Sequence, residues 1–176
     1  ETCRVRLALE QQRTRGLRVG EIDIKYGSGG LLDIYFAMRY LQLRDNVPDG
    51  VSSPAVKEGA DKPFDATGAL TNVRATDTTS TANRSTRFML DRLLNGGSLN
   101  PERHTSLADG HEFLSTLDHN IRLIARRSTR LSQGNHALLD AIAKRMNLPS
   151  PAALLENLTL HRLAIRSAFQ AITSCE

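Results

Sequence analysis

Leu107, Leu114 and Ile121 recur every seven residues, and Leu117, Ile124 and Leu131 interleave with them. Apolar side chains three and four apart over this length form the seam of a helix packed in a bundle. The pattern predicts one long helix from about Ser106 to Ser132, broken by Gln133-Gly134-Asn135. A strand cannot carry it, because strand side chains alternate with a period of two. The seam alone therefore points to an all-α fold.

The flanking segments agree. Residues 3–15 are good helix formers that stop before Gly16, and they read as the tail of a helix arriving from upstream. Leu31, Ile34, Met38 and Leu41 lie on one helical stripe with Leu32, Phe36 and Leu43 beside it, so this helix should be largely buried. Pro48 and Gly50 end it near Asn46. Thr86–Leu94 is helical until Asn95-Gly96-Gly97, a C-terminal signal. Leu138, Leu139, Ile142 and Met146 predict a short helix over 136–147. Ser150-Pro151 opens a final helix with Leu155, Leu158, Ile165, Phe169 and Ile172 on its apolar side.

The expectation is a single helical domain over 1–176, a bundle of five to six helices with two irregular features. One is a short strand-like segment, Arg18–Tyr26, where Val and Ile are interleaved with polar residues. The other is 47–84, rich in Pro, Gly, Ser, Thr, Asp and Ala, which predicts a mobile excursion with Phe64 and Leu70 as its few anchors.

Composition excludes several classes. No run of 18 apolar residues exists, so no membrane span is expected. No signal-peptide pattern precedes the helices; the chain opens Glu1-Thr2-Cys3-Arg4 without an initiator Met and reads as a piece of a longer polypeptide. Cys3 and Cys175 are too few for a disulfide framework and suit a reduced, cytoplasmic setting. The net charge of +4 comes from scattered basic residues, with Arg122, Arg126, Arg127 and Arg130 as the only dense group. With five Phe, three Tyr and no Trp, neither a basic stripe nor a stacking platform for nucleic acid is present.

The segment that carries chemistry is Asp23-Ile-Lys25-Tyr-Gly27-Ser-Gly29-Gly30-Leu-Leu-Asp33-Ile-Tyr35-Phe36. It combines an extended segment, a Lys, a glycine turn and a helix start. Free N–H groups at a helix N-terminus bind phosphate, and a nearby Lys adds charge. It is neither a Walker A loop, since the Lys precedes the glycines, nor a GxGxxG fingerprint. A second reading stays open: a tight turn that reverses the chain onto a buried helix, with Asp33 complementing the helix dipole. His104, His111, His119, His136 and His161 form no metal-binding pair, and no Ser sits in a Gly-x-Ser-x-Gly elbow. Asp118 and His119 read as a buried polar contact between helices, so no catalytic or metal-ligating residue is assigned.

Lys-x-Gly-x-Gly-Gly followed by an acidic-Ile-x-Phe run resembles the motif of the glutamine synthetase adenylyltransferase/deadenylylase family and the related PII uridylyltransferases. Lys25, Gly27, Gly29, Gly30 and Phe36 match it. Leu93-Leu94 with Gly97-Ser-Leu99, the stretch Leu107–Leu123 with Asp118-His119, the segment Ala141–Leu148, and Leu160–Ile172 resemble later blocks of the family in the same order. Leu32 stands where the family has Arg, Asp33 and Tyr35 where it has Glu, and Arg39 where it has Gln.

The resemblance implies the helical domain that follows a nucleotidyltransferase domain. The parent enzyme would move AMP from ATP to a tyrosine of glutamine synthetase and remove it by phosphorolysis, assisted by Mg²⁺. The acidic Asp-x-Asp signature of that chemistry is missing here, so this piece alone is expected to be inactive. Its share would be one side of the nucleotide cleft, with Lys25, Gly27, Gly29, Gly30 and Asp33 near the phosphates. The departures at Leu32, Tyr35 and Arg39 favour an alternative: a non-catalytic bundle docking glutamine synthetase, a PII-type signal protein or the partner domain. The equivalent domain of a PII uridylyltransferase is the third option.

Overall fold

The computed structural model describes residues 1–47, 78–125 and 129–174, the side chains of 78–85 excepted. Among these, six helices and one two-stranded ribbon follow in the order α1 (Thr2–Thr14), β1 (Glu21–Asp23), α2 (Leu31–Arg44), α3 (Thr78–Asn95), α4 (Pro101–Ala125), β2 (Arg130–Ser132), α5 (His136–Arg145) and α6 (Pro151–Thr173). The expected all-α architecture is what the chain adopts.

Helix α4 forms the centre, packed most extensively against α6. It starts five residues before the expected Ser106, because Asn100 caps it: Asn100 Oδ1 accepts the Arg103 N–H at 2.9 Å, and Pro101 takes the first helical position. Leu107, Leu114, Leu117 and Ile121 are fully buried, as the seven-residue repeat requires. The repeat nevertheless overstates the helix. Ile124 is 39% exposed, and α4 stops at Ala125. Leu131 is buried from a strand, not a helix: β2 pairs antiparallel with β1, setting Leu131 opposite Ile22. The Ile24 N–H continues the ribbon by donating to Thr129 O at 3.1 Å. Pairing with a distant segment overrides the local helical period here.

Helix α3 begins at Thr78 rather than Thr86, so 78–84 of the expected excursion is helical. Residues 48–77, including Phe64 and Leu70, lie outside the described residues, as do Arg126 and Arg127. Beyond α3, Gly97 turns the chain at φ 75°, and the N–H groups of Ser98 and Leu99 return to Leu93 O. In α2 the buried stripe is narrower than expected. Ile34, Ala37, Met38 and Leu41 are buried, whereas Leu43 is 83% exposed and Tyr35 46%.

Capping sets the last two helices as their sequences require. Asn135 Oδ1 accepts the Leu138 N–H at 3.1 Å, and Ser150 Oγ accepts the Ala153 N–H at 3.1 Å. Leu158, Ile165, Phe169 and Ile172 complete the core from α6. Each such side chain contributes roughly 1.5–3 kcal/mol on burial. Phe113 of α4 stacks on His161 of α6 with ring centroids 4.6 Å apart.

Cys3 is disulfide-bonded, contrary to the reduced thiols expected from the cysteine count. A low count excludes a framework of bridges but not a single one. No described helix is long and apolar enough to cross a membrane.

Candidate functional site

The glycine turn is sewn together from three directions. Asp23 starts it: Oδ1 accepts the N–H groups of Lys25 (2.9 Å) and Tyr26 (2.8 Å), and the Asp23 carbonyl accepts Gly27 N–H at 3.1 Å. From α1, Arg6 reaches in and donates to the carbonyls of Tyr26 (3.1 Å) and Gly27 (2.9 Å). From α6, Arg162 Nε donates to Ser28 O at 2.9 Å. Gly29 has φ +67°, and a Cβ there would collide with the Arg162 carbonyl. At Gly30 a Cβ would lie 2.8 Å from Ile24 O. Only glycine meets both demands at little steric cost.

This construction consumes the donors expected to cradle a phosphate. Gly29 N–H donates to Asp33 Oδ2 (2.7 Å), and Gly30 N–H to Gly27 O (3.0 Å). The helix start is equally engaged: Leu31 N–H donates to Ile24 O and Leu32 N–H to Lys25 O, both at 3.1 Å. Gly30 is the N-cap of α2, and no side chain caps it. The incoming backbone does that work instead, and the N–H groups of Gly27, Gly29 and Gly30 are all engaged within the turn.

Asp33 is likewise placed behind the turn. It has no accessible surface, pairs with Arg6 Nε, and accepts Arg166 Nη1 at 3.1 Å as well as the Gly29 N–H. Glu10 completes the cluster, 3.3 Å from Arg6 and 3.2 Å from Arg166. Burial lowers the pKa of Arg162 beside them, opposed by the charges of Glu10, Asp33 and Asp23.

Lys25 faces the other way. It is half-buried, its ammonium 5.5 Å from the Tyr26 ring centroid, with no carboxylate in salt-bridge range among the described residues. It lines a cavity of about 440 Å³ between the start of α2 and the middle of α4. Leu31, Leu32, Ile34 and Tyr35 form one wall; His111, Ser115, Asp118, His119 and Arg122 form the other, with Thr86 of α3 at the edge. Asp118 and His119 are therefore not the interhelical contact expected of them. Asp118 pairs along its own helix, Oδ2 to Arg122 Nε at 2.7 Å, and His119 is exposed.

The GlnD PII-uridylyltransferase family model matches residues 3–173, nearly the whole chain. The chain belongs to this family. It is thereby a member of a nucleotidyltransferase-type family, whereas no curated protein matches it. The match runs through the glycine turn, α4 and α6, the elements that meet at the turn and the cavity.

In this family member the cavity offers the Lys25 ammonium, without an ionic partner among the described residues, the hydroxyls of Tyr35, Thr86 and Ser115, two imidazoles and an ion pair. Burial lowers the His111 pKa, aided by the Arg87 charge and opposed by Glu112, so its ring is neutral near pH 7. Its Nε2 lies 3.5 Å from Ser115 Oγ. Among the described residues, no three His, Cys, Asp or Glu side chains are grouped to hold a metal ion. Arg6, Arg162 and Arg166 were missed from the sequence. Their i,i+4 spacings, Arg6 to Glu10 and Arg162 to Arg166, are visible in it, but nothing local says that they converge on one turn.

Proposed function

We propose that the chain is the helical companion of a nucleotidyl-transfer domain and forms one wall of the cleft that holds the nucleotide. The observation that carries this reading is the Lys25 ammonium, free of carboxylates among the described residues, at a 440 Å³ cavity in a chain of this family. That volume lies within the roughly 300–1,000 Å³ of small-molecule sites. Gly27, Gly29, Gly30 and Asp33 act indirectly, by holding the Lys25 loop in place. Catalysis and Mg²⁺ ligation belong to the acidic residues of the partner domain, and this piece alone is inactive.

The family name favours uridylyl transfer to a PII-type signal protein. The resemblance of the Lys25–Phe36 motif also accommodates adenylyl transfer from ATP to glutamine synthetase, and both place the enzyme in the cytoplasm. Titration with UTP and ATP, with and without Mg²⁺, followed by NMR, tests the common core. Shifts centred on Lys25, Leu31 and α4 support it; silence at these positions overturns it.

A second reading, a non-catalytic bundle docking one of those proteins, is favoured by the engaged N–H groups of the turn and by Leu32, Tyr35 and Arg39. Binding of glutamine synthetase or a PII-type protein, unchanged by Lys25→Ala and without nucleotide shifts, would select it.

A further inference from the structure

We propose that the outer face of α1, together with the groove it forms with α2, docks an acidic amphipathic helix of a partner protein. Apart from Tyr35, which borders both, this surface is separate from the Lys25 cavity, and the inference does not rest on the nucleotide reading.

The bundle covers little of α1. Arg6 is its one fully buried residue, and Cys3 and Leu7 pack only partly against the core. A helix that is polar on nearly all sides is held by many i,i+4 pairs or bridges to another body. α1 has a single such ion pair, Arg6–Glu10, so bridging is the role that its side chains favour.

Its outer face is unmatched in charge. Arg4 and Arg15 are exposed on one side of the helix, about 16 Å apart at the helical rise per residue, and exposed Arg18 follows in the loop. None of the three has a carboxylate in salt-bridge range among the described residues. Other exposed cations do: Arg44 meets Asp45, Arg122 meets Asp118 and Lys144 meets Asp140, each at 2.7 Å. A patch of one sign attracts and orients a surface of the other. Exposed Ala8 and Gln11 lie between Arg4 and Arg15, which leaves room for a helix to approach. A nucleic-acid backbone, with its closely spaced charges, would be met by an unbroken row of cations. Val5 alone is too little apolar surface to hold α1 at a lipid interface.

The apolar half of the surface lies alongside. Val5 joins Tyr35, Phe36, Tyr40 and Leu43 of α2 around a groove of about 400 Å³. Val5 and Tyr35 are half-exposed, and Leu43 is almost fully so. Tyr35, Arg39 and Leu43 are spaced four apart and present one line along α2. Glu1 is the one acidic residue of the lining, against Arg39 there and Arg4 beside it. An amphipathic helix seats its apolar anchors in such a groove. The occupant that meets both features carries leucine-like anchors on one face, flanked by carboxylates that reach Arg4 and Arg15.

Fluorescence anisotropy with the 176-residue chain at low salt tests this. The probes are a labelled helical peptide of Leu and Glu in amphipathic order, the same peptide with Lys for Glu, and the same with Ser for Leu. The Leu/Glu peptide should bind, and either exchange should weaken binding about tenfold, or 1.4 kcal/mol. Arg4→Glu with Arg15→Glu should weaken it to a similar degree, and so should Leu43→Ser. The control Arg103→Glu with Lys144→Glu changes the net charge equally and should leave the affinity nearly unaltered. Circular dichroism verifies that each variant folds. Absence of binding, equal binding of the Lys or Ser peptide, an affinity that either surface variant leaves unchanged, or an equal loss in the control overturns the inference. Tighter binding of oligouridylate or of phosphatidylserine vesicles overturns it too and assigns the arginines to nucleic acid or lipid. None of these results bears on the nucleotide reading, whose readout is Lys25.

Discussion

Arg6 and Asp33 form an ion pair in which neither side chain has any accessible surface, and it ties α1 to the first turn of α2. Arg6 also holds two carbonyls of the turn, and Asp33 holds the N–H of Gly29. The pair is thus the hub on which the position of Lys25 depends.

Breaking it from one side leaves a buried charge uncompensated. Asp33→Ala should therefore cost about 3–5 kcal/mol of stability. Replacing both partners with apolar residues, Arg6→Met with Asp33→Leu, should cost less than the sum of the single changes, because no charge is stranded. Urea denaturation of the four species measures the difference, and strict additivity would contradict the coupling.

Gly29→Ala should destabilise by about 2 kcal/mol or more, since it combines left-handed backbone with a collision against the Arg162 carbonyl. Thermal melts decide it. A neutral effect would mean that α6 yields to the added methyl.

Lys25→Ala should leave stability within about 0.5 kcal/mol, as its ammonium meets only the ring of the neighbouring Tyr26 and no carboxylate among the described residues. Nucleotide affinity should fall by about 1.5–3 kcal/mol, the worth of one charge-assisted hydrogen bond. Calorimetric titration beside a melt separates the two effects.

Acid should weaken the fold through two half-buried imidazoles. Burial lowers the pKa of both His111 and His161 in the folded chain. Above an ordinary histidine pKa of about 6.5, both states are neutral and stability is fully present. As pH falls below that value, the unfolded chain takes up protons first, and stability declines towards the folded pKa. Urea midpoints between pH 7.5 and 5.5 should show this slope, and the double variant His111→Gln with His161→Gln should flatten it. Asp45, held down to about 2 by its hydrogen bond to Arg44, adds nothing in this window.

Ser150→Ala removes the hydroxyl that accepts the Ala153 N–H and should cost about 1 kcal/mol. Ser150→Asp should restore most of that loss in the same denaturation assay.

What the sequence determined by itself is periodic or local. The Leu107-Leu114-Ile121 repeat specified a buried helix, Ser150-Pro151 specified where α6 begins, and Gly29-Gly30 specified a turn that no larger side chain could enter. Each follows from side chains a few residues apart, so a short window contains the whole cause. The tertiary structure decided what lies between distant segments. Leu131 left the helical repeat because Ile22, more than a hundred residues earlier, offered a strand partner. Asp33 took up the buried Arg6 of α1 and the half-buried Arg166 of α6, and Asp118 came to line the cavity shared with Lys25. Charges separated by this much chain meet only once the core has packed, and a side chain's surroundings then decide whether it holds the fold or faces a ligand.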